Sequence, residues 1–282
     1  MFSILIPTWN NLAYLQRAVE AVRRHSAMAH QVIVHVNDGA DGTLAWVRAQ
    51  GLAYTHSAHN VGICLAVNGA AMQATQPYVA YLNDDMVVCP GWDTQLLRCI
   101  ERLDSDLFMV SGTMVEPRAT GNPCVVVRDF GDAVETFREA DLLAALPQLQ
   151  RGDWSGATWP PTVVHRDWWF RVGGYSSELT PGMSSDNDFS MKLWHAGCRR
   201  FVGVGSALVY HFQCKSTGRI VKNDGRRQFL HKWGLSQSTF DRFYLRRGAP
   251  LADARTPLAG PESSLPLRWA RLGNDLRRRF GS

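Results

Sequence analysis

The first third of the chain alternates short apolar runs with stretches of helical periodicity, and this rhythm limits the fold more than any other feature. Alternation of this kind implies parallel strands that are joined by right-handed crossovers. The sequence therefore predicts an α/β fold with a mostly parallel central sheet flanked by helices. The predicted strands are residues 2–6, 32–36, 52–55 and 78–82, and the predicted helices are residues 12–22, 43–49 and 62–73.

Polar residues follow these strands where each of them ends. Thr8, Asn10, Asp38, Asn60 and Asp85 all take such positions. In parallel sheets ligands bind beyond the carboxyl ends of the strands, so these residues are expected to converge on one site. Taken singly, each of these residues is also typical of a turn. The first strand is not followed by a Gly-x-Gly-x-x-Gly run, which disfavours a dinucleotide-binding fold.

The acidic end of the fourth strand is the strongest candidate within that site. An apolar run over residues 78–82 leads directly into Asn83, Asp84 and Asp85. Adjacent carboxylates repel, so a cation is expected between them and their partners. A hard divalent ion that also holds a diphosphate fits this requirement. The alternative is a simple acidic turn after a strand.

The composition of the chain bounds its class. It has 282 residues, a formal net charge of +5 and six cysteines without a Cys-x-x-Cys pair. Reduced thiols in a cytoplasmic protein fit this pattern better than a disulfide frame or a zinc site. No signal peptide and no membrane-spanning run is predicted. His56 and His59 are expected to be loop residues, because no second pair of ligands has a familiar spacing.

The second half of the chain gives a coarser prediction. Residues 116–151 are expected to form an irregular, variable insertion at the sheet edge, and Gly203-Val204-Gly205 a turn. A helix is expected over residues 189–196, closed by Gly197. A group of tryptophans is expected either in the core or stacked on sugar rings or lipid beside a cleft. They are Trp154, Trp159, Trp168 and Trp169.

Several short motifs, taken in order and spacing, carry a resemblance. The chain resembles glycosyltransferase family 2, inverting sugar-nucleotide enzymes with a GT-A fold, from Ile4 to about Trp233. The resemblance implies a GT-A domain over 1–233, with a nucleotide-binding half at about 1–114 and an acceptor half at about 152–233. Residues 234–282 are then a basic helical extension or tail. The motifs are Ile4-Leu5-Ile6-Pro7-Thr8-Trp9-Asn10, Asn37-Asp38-Gly39-Ala40-Asp41-Gly42-Thr43, Asn60-Val61-Gly62 with Asn68-Gly69, Leu82-Asn83-Asp84-Asp85, Ser185-Asp186-Asn187-Asp188-Phe189 and Val209-Tyr210-His211.

The resemblance implies donor contacts at named positions. Thr8, Asn10 and Asp38 are similar to the base and ribose contacts of a uridine nucleotide, although Asp38 could instead be a turn acid and Asn60 and Asn68 loop braces. Asn83 stands where many relatives carry Asp. The full set of implied donor contacts is Pro7, Thr8, Asn10, Asp38, Asn60, Asn68, Asn83, Asp84 and Lys215.

The same resemblance implies the catalytic groups. Asp186 maps onto the general base, with Ser185 in place of the usual Glu. Asp85 and His211 map onto ligands of Mn²⁺ or Mg²⁺. Lys215 and Arg219 are expected to meet the diphosphate. For Asp188 a structural role, such as capping the following helix, is favoured over a catalytic one.

The predicted function is transfer of one sugar from a nucleoside diphosphate donor, UDP-linked by preference, to a hydroxyl of a saccharide or lipid-linked glycan. The rivals are a non-catalytic family member that binds nucleotide sugar or acts as a scaffold, and a sugar-1-phosphate nucleotidyltransferase. The latter should have a glycine-rich basic loop after the first strand. The basic tail predicts a helix with Trp269, Leu272, Leu276 and Phe280 on one side, which either binds an anionic membrane surface or is solvated. No nucleic acid partner is predicted.

Overall fold

The computed structural model describes residues 1–214, 220–261 and 263–280. Ten strands belong to one sheet. They are β1 (Phe2–Trp9), β2 (Gln31–Asn37), β3 (Ala53–Ser57), β4 (Tyr78–Tyr81), β5 (Met86–Val88), β6 (Met109–Glu116), β7 (Val126–Val127), β8 (Trp154–Ser155), β9 (Thr162–His165) and β10 (Phe201–His211).

Helices cover the sheet and extend the chain beyond it. The described residues also form two short 3₁₀ turns, at Val134–Thr136 and Ser177–Leu179, and a wider helical turn at Phe240–Tyr244. The α-helices are α1 (Leu12–His25), α2 (Thr43–Ala49), α3 (Gly62–Ala71), α4 (Trp92–Arg102), α5 (Glu139–Leu149), α6 (Arg166–Arg171), α7 (Ser185–His195), α8 (Gly225–Trp233), α9 (Gln237–Thr239) and α10 (Leu265–Phe280).

The strands are parallel in one half of the sheet and of mixed direction in the other half. The strand order is β3-β2-β1-β4-β9-β6-β10-β5, with β7 beside β6 and β8 beside β10. The first four strands in this order are parallel, as the alternation of strands and helices predicts. Strand β9 runs antiparallel between β4 and β6. The α/β class with a sheet flanked by helices and a C-terminal helix is thus confirmed.

Apolar side chains on both faces of the sheet form the core. In β1, Ile4 and Ile6 belong to the cluster under α1 and α4, and Leu5 belongs to the cluster under α3 and α7. Successive side chains of a strand point to opposite faces, so a strand that is apolar at every position must be covered twice. The apolar run over residues 2–6, which only Ser3 interrupts, follows from this arrangement.

Strand β1 continues past the residue expected to close it. It includes Pro7 and reaches Trp9. Proline lacks the N–H that a strand donates, but β4 pairs with β1 only as far as Leu5, so no bond to β4 is lost at Pro7. The strand therefore carries Thr8 to the edge of the site in extended form.

Two predictions for the second half were wrong. Residues 116–151 contain the helix α5, which buries Leu142 and Leu149 against the core, although Pro147 within it obscures the helical pattern. Gly203-Val204-Gly205 lies within β10 and is not a turn. A Cβ atom on Gly203 would lie 1.9 Å from the ring of Trp154, so glycine there makes room for an aromatic side chain.

Helix α7 begins earlier than expected. It starts at Ser185, so residues 185–188 form its first turn instead of preceding it. The acidic side chains of this turn lie near the positive end of the helix dipole, which favours carboxylates there. The turn of sequence that carries Asp186 is therefore held rigidly by the helix.

The tryptophans divide between two environments. Trp154 and Trp169 are buried core residues, whereas Trp159 and Trp168 are only partly buried. The core alternative is thus correct for two of the four. In the part of the chain that the structure describes, no helix combines the length and apolar character needed to span a bilayer.

Candidate functional site

A cavity of about 590 Å³ opens at the carboxyl ends of β1 and β2, beside the turn between β4 and β5. Its volume lies in the range of small-molecule sites. Seven of the residues predicted from the sequence line it: Pro7, Thr8, Asn60, Asn83, Asp84, Asp85 and His211.

Thr8 presents a polar atom that lacks a partner. The residue is 3% exposed, and its hydroxyl forms no hydrogen bond to any group in the described ranges. Buried polar groups in proteins are almost always hydrogen-bonded, so an orphaned hydroxyl at a cavity wall indicates that water or a ligand bonds it there. The Thr8 hydroxyl can therefore bond a polar group of a molecule in this cavity.

Asn10 and Asp38 form a brace beneath this wall. The Asn10 Nδ2 donates to Asp38 Oδ2 over 2.8 Å, and the Gly39 amide donates to Asn10 Oδ1 over 2.9 Å. Both Asn10 and Asp38 have positive φ, which asparagine and aspartate tolerate better than most residues. Neither residue lines the cavity in this conformation, and each fixes the loop that follows a strand.

Asn37 lies on the cavity wall where Asp38 was expected. Its Oδ1 accepts the Val61 amide over 2.9 Å and the Ser57 hydroxyl over 3.1 Å. Asn60 Oδ1 accepts the Gly62 amide over 2.9 Å. These bonds join the loops after β2 and β3 into one surface.

Three charged side chains lie in a row on the cavity wall opposite β1: Asp85, His211 and Glu116. His211 Nδ1 lies 2.8 Å from Glu116 Oε1, and His211 Nε2 lies 3.4 Å from Asp85 Oδ2. Asp85 also accepts the backbone amide of Cys214 over 2.8 Å. Strand β10 delivers His211 beside β5, so the sheet itself brings these distant residues together.

The attraction between Asp85 and His211 shifts the pKa values of both side chains. Burial lowers the pKa of His211, but Asp85 and Glu116 outweigh it and raise that pKa to about 10. Burial raises the pKa of Asp85, but His211 and the Cys214 amide outweigh it and hold that pKa below its usual value. Both side chains are therefore charged at neutral pH in this conformation.

Asp85 and His211 fit a metal ion that takes oxygen and nitrogen ligands, provided that the ion displaces the proton from His211 Nε2, because a histidine ligand is neutral. Glu116 holds Nδ1 of the imidazole, which leaves Nε2 directed at Asp85, as in metal sites where a carboxylate orients a histidine ligand. Within residues 1–214, 220–261 and 263–280, no group of three or more His, Cys, Asp or Glu side chains is arranged to hold an ion alone. Further ligands would therefore have to come from the substrate or water.

Asp186 is positioned by a series of hydrogen bonds that starts at Asn68 in α3. Asn68 makes two bonds with the backbone of Tyr175, from Nδ2 to the carbonyl oxygen over 2.7 Å and from the amide to Oδ1 over 2.8 Å. The Tyr175 hydroxyl donates to Asp186 Oδ1 over 2.7 Å. Burial raises the pKa of Asp186 to about 6, an effect that the Tyr175 hydroxyl partly offsets. Asn68 itself does not line the cavity.

Asp188 has a structural role, as the sequence favours. Its fully buried carboxylate accepts the Ser176 hydroxyl and the Trp233 indole N–H, and it pairs with Lys232 over 2.8 Å. These bonds tie α7 to α8, so Asp188 joins two helices instead of capping one. Lys215 and Arg219 lie outside the described residues.

Sequence reasoning missed Asn37, Glu116 and Tyr175. Asn37 precedes the more conspicuous Asp38, and Glu116 looks like the first residue of a loop. The signal for Glu116 was the apolar run before it, since Glu116 is the last residue of β6. Tyr175 gave no signal, because only the fold brings it to Asp186.

A sheet of this order with a nucleotide-sized cavity at its carboxyl ends defines a GT-A type fold. Residues 3–122 match the family described as Glycosyl transferase family 2, which confirms the predicted resemblance for this part of the chain. No curated protein gives a significant match.

Solved structures of S. aureus TarS are similar to this chain. The crystal structure of its residues 1-349 is 13% identical with a TM-score of 0.59, and the complex of that fragment with UDP-GlcNAc is 14% identical with a TM-score of 0.61; each match covers 99% of this chain and 72% of the other. A further structure of S. aureus TarS is 14% identical with a TM-score of 0.57, and the match covers 99% of this chain and 43% of the other. Likeness at these identities establishes the fold.

Proposed function

We propose that this protein is an inverting, metal-dependent glycosyltransferase. It moves one sugar from a nucleoside diphosphate sugar, UDP-linked by preference, to a hydroxyl of a saccharide or lipid-linked glycan in cell-surface polysaccharide or glycoconjugate synthesis. The family match and a structural neighbour solved with UDP-GlcNAc support this proposal. The observation that carries it is one cavity that joins the orphaned Thr8 hydroxyl to the Asp85–His211 pair.

Asp186 acts as the general base in this proposal. It takes the proton of the acceptor hydroxyl while the acceptor oxygen bonds to the anomeric carbon and the bond from that carbon to the diphosphate breaks. A base works best when its pKa lies close to the operating pH. The pKa of about 6 leaves Asp186 ionised at neutral pH, yet more basic than an ordinary aspartate.

Asp85 and His211 would hold Mn²⁺ or Mg²⁺ with the diphosphate. The bound cation would neutralise charge that develops on the leaving diphosphate. Asn83 and Asp84 border the same part of the cavity and provide oxygen atoms toward the donor. Asn83 carries no charge where relatives carry Asp, so the protein depends more strongly on Asp85 for its affinity for the ion.

The first test is release of nucleoside diphosphate from a panel of UDP-, GDP- and dTDP-sugars, with Mn²⁺ and with EDTA. Hydrolysis of one donor that needs the metal is the expected result. Binding without turnover, both with and without added saccharide acceptors, would favour the non-catalytic alternative. Absence of binding to every donor would contradict the proposal.

The C-terminal helix suits attachment to an anionic membrane surface, which is the second part of the proposal. Trp269, Leu272 and Leu276 are 69%, 48% and 51% exposed, whereas Leu267 and Asn274 on the other side are buried. Arginines accompany this exposed apolar side, a combination typical of interfacial helices. The protein would then be cytoplasmic and peripheral on the inner face of the cell membrane. The side chain of Phe280 lies outside the described part.

Vesicle flotation tests this attachment. Removal of α10 would uncover the buried Leu267, so surface substitutions are the sharper probe. Trp269→Ser with Leu276→Ser should reduce binding to vesicles of anionic lipid by about tenfold or more. The matched control changes the exposed Leu65 and Met72 to Ser, far from the tail in sequence. Equal binding by the two double variants would exclude this role of α10.

A further inference from the structure

A second and larger cavity lies on the acceptor side of α7. Its volume is about 1200 Å³, larger than most sites for a single small ligand. It lies among α8, α9, the loop after residue 245 and one residue of α10. Six arginines line it: Arg226, Arg227, Arg242, Arg246, Arg247 and Arg277.

Few carboxylates offset this positive charge. Asp241 pairs with Arg247, and Asp224 accepts the Arg227 amide at the start of α8. In the described ranges, the other five arginines have no carboxylate oxygen within 4.0 Å of their guanidinium nitrogens. Five of the six arginines are exposed, so solvent screens their mutual repulsion, and together they create a positive potential that attracts anions.

The remaining lining suits a saccharide. Ser236, Gln237 and Ser238 add neutral hydrogen-bonding groups to the wall, and Trp159 adds an aromatic ring. The Arg247 guanidinium lies 4.3 Å from the centre of that ring, and its Nε is buried without a partner in the described part. Hydroxyl-rich sugar units and anionic groups would both find partners on this surface.

The cavity adjoins the segment that carries the proposed base. Met183 lines the donor cavity and Asn187 lines the arginine cavity, so Asp186 lies in the segment between them. Gly225 at the start of α8 packs directly on the Met183 carbonyl, where a Cβ would come within 2.0 Å. The segment that carries Asp186 therefore borders both cavities.

We propose that the arginine cavity binds an acceptor saccharide that carries phosphate or carboxylate groups. Arginine recognises both groups through paired, charge-assisted hydrogen bonds. The volume admits several sugar units, so the anionic groups would lie on units away from the hydroxyl that reacts. This inference rests on the proposed function, since it names the acceptor class of that site.

The test compares one oligosaccharide in neutral and phosphorylated forms. Binding of each is measured by calorimetry on the full chain, at low and high salt, together with binding of UDP. The cavity variant is Arg226→Gln with Arg242→Gln. The matched control is Arg17→Gln with Arg24→Gln, which removes the same charge from exposed positions on α1 outside both cavities.

The phosphorylated form should bind the unchanged protein at least about tenfold more tightly than the neutral form, and added salt should reduce the difference. The cavity variant should lose most of that preference and the control should keep it. Arg277→Gln, in α10, should weaken binding in the same direction.

Three results would overturn the inference: equal binding of the two forms, an equal loss in the control variant, or tighter binding of a single-stranded oligonucleotide of the same charge. Failure to bind UDP would count against the proposed function instead. The comparison of the two saccharides would still decide whether the cavity selects anions.

Discussion

Asp186→Asn should change stability and activity in opposite directions. Burial raises the pKa of Asp186 from 3.8 to about 6, so the folded protein disfavours the ionised carboxylate. Between these pH values the unfolded chain binds fewer protons than the folded one, and stability falls as the pH rises. Above pH 6 the ionised Asp186 lowers the free energy of unfolding by the full penalty, up to about 3 kcal/mol.

Asparagine removes that penalty because it carries no charge, and its Oδ1 can still accept the Tyr175 hydroxyl. The variant should therefore be more stable than the original protein at pH 7.5, by at most about 3 kcal/mol, and nearly equal to it below pH 4. Urea unfolding at several pH values measures this. Transfer should fall by about 10²–10⁴-fold at the same time, because the base is lost.

Asp188→Asn is the matched control. Its carboxylate is fully buried and paired with Lys232, so removal of the charge should destabilise the protein by about 1–3 kcal/mol. Transfer by the folded fraction should remain. If Asp186→Asn instead lost stability and kept normal transfer with normal donor binding, the assignment of Asp186 as the base would be wrong.

Further predictions follow from other contacts. Tyr175→Phe removes the hydroxyl that lowers the pKa of Asp186, so the acid limb of kcat/KM, expected near pH 6, should move to higher pH. Glu116→Gln should raise the Mn²⁺ concentration needed for half-maximal donor hydrolysis by about 10–100-fold, because the orienting carboxylate is lost; an unchanged requirement would argue against the metal site. Gly203→Ala should cost about 1–3 kcal/mol in urea unfolding through its clash, whereas Gly152→Ala, with open space around it, should cost little; similar costs would contradict the packing argument.

The sequence was sufficient for the chain as far as β4, whereas β5 and α4 were not predicted. Strands that are mostly apolar and almost wholly buried, such as β1, gave a signal that local reasoning can read, and the bounds of α2 were predicted correctly. Helix α5 was missed because Pro147 and scattered charges interrupt its pattern. Gly203 was misread because the requirement for glycine comes from Trp154, a partner that is distant in sequence.

The residues of the candidate site also divide into those that local sequence signals predict and those that only tertiary contacts reveal. Residues at strand ends, such as Thr8 and Asp85, were found because topology alone places them together. Asn10 and Asp38 also reach the right edge, but local hydrogen bonding decides which of two adjacent side chains faces the cavity. Partners that act through tertiary contacts, such as Tyr175, cannot be read from a single sequence.

The position of β9 sets the order in which this chain can fold. Its residues Thr162–His165 fill the space between β4 and β6, which are both complete by residue 116. During synthesis these two strands must therefore wait with facing edges unpaired until residue 165 has emerged from the ribosome. Open edges of this kind invite pairing with other chains. A fragment that ends near residue 114 should consequently aggregate, because the facing edges of β4 and β6 are paired only when the later chain supplies β9.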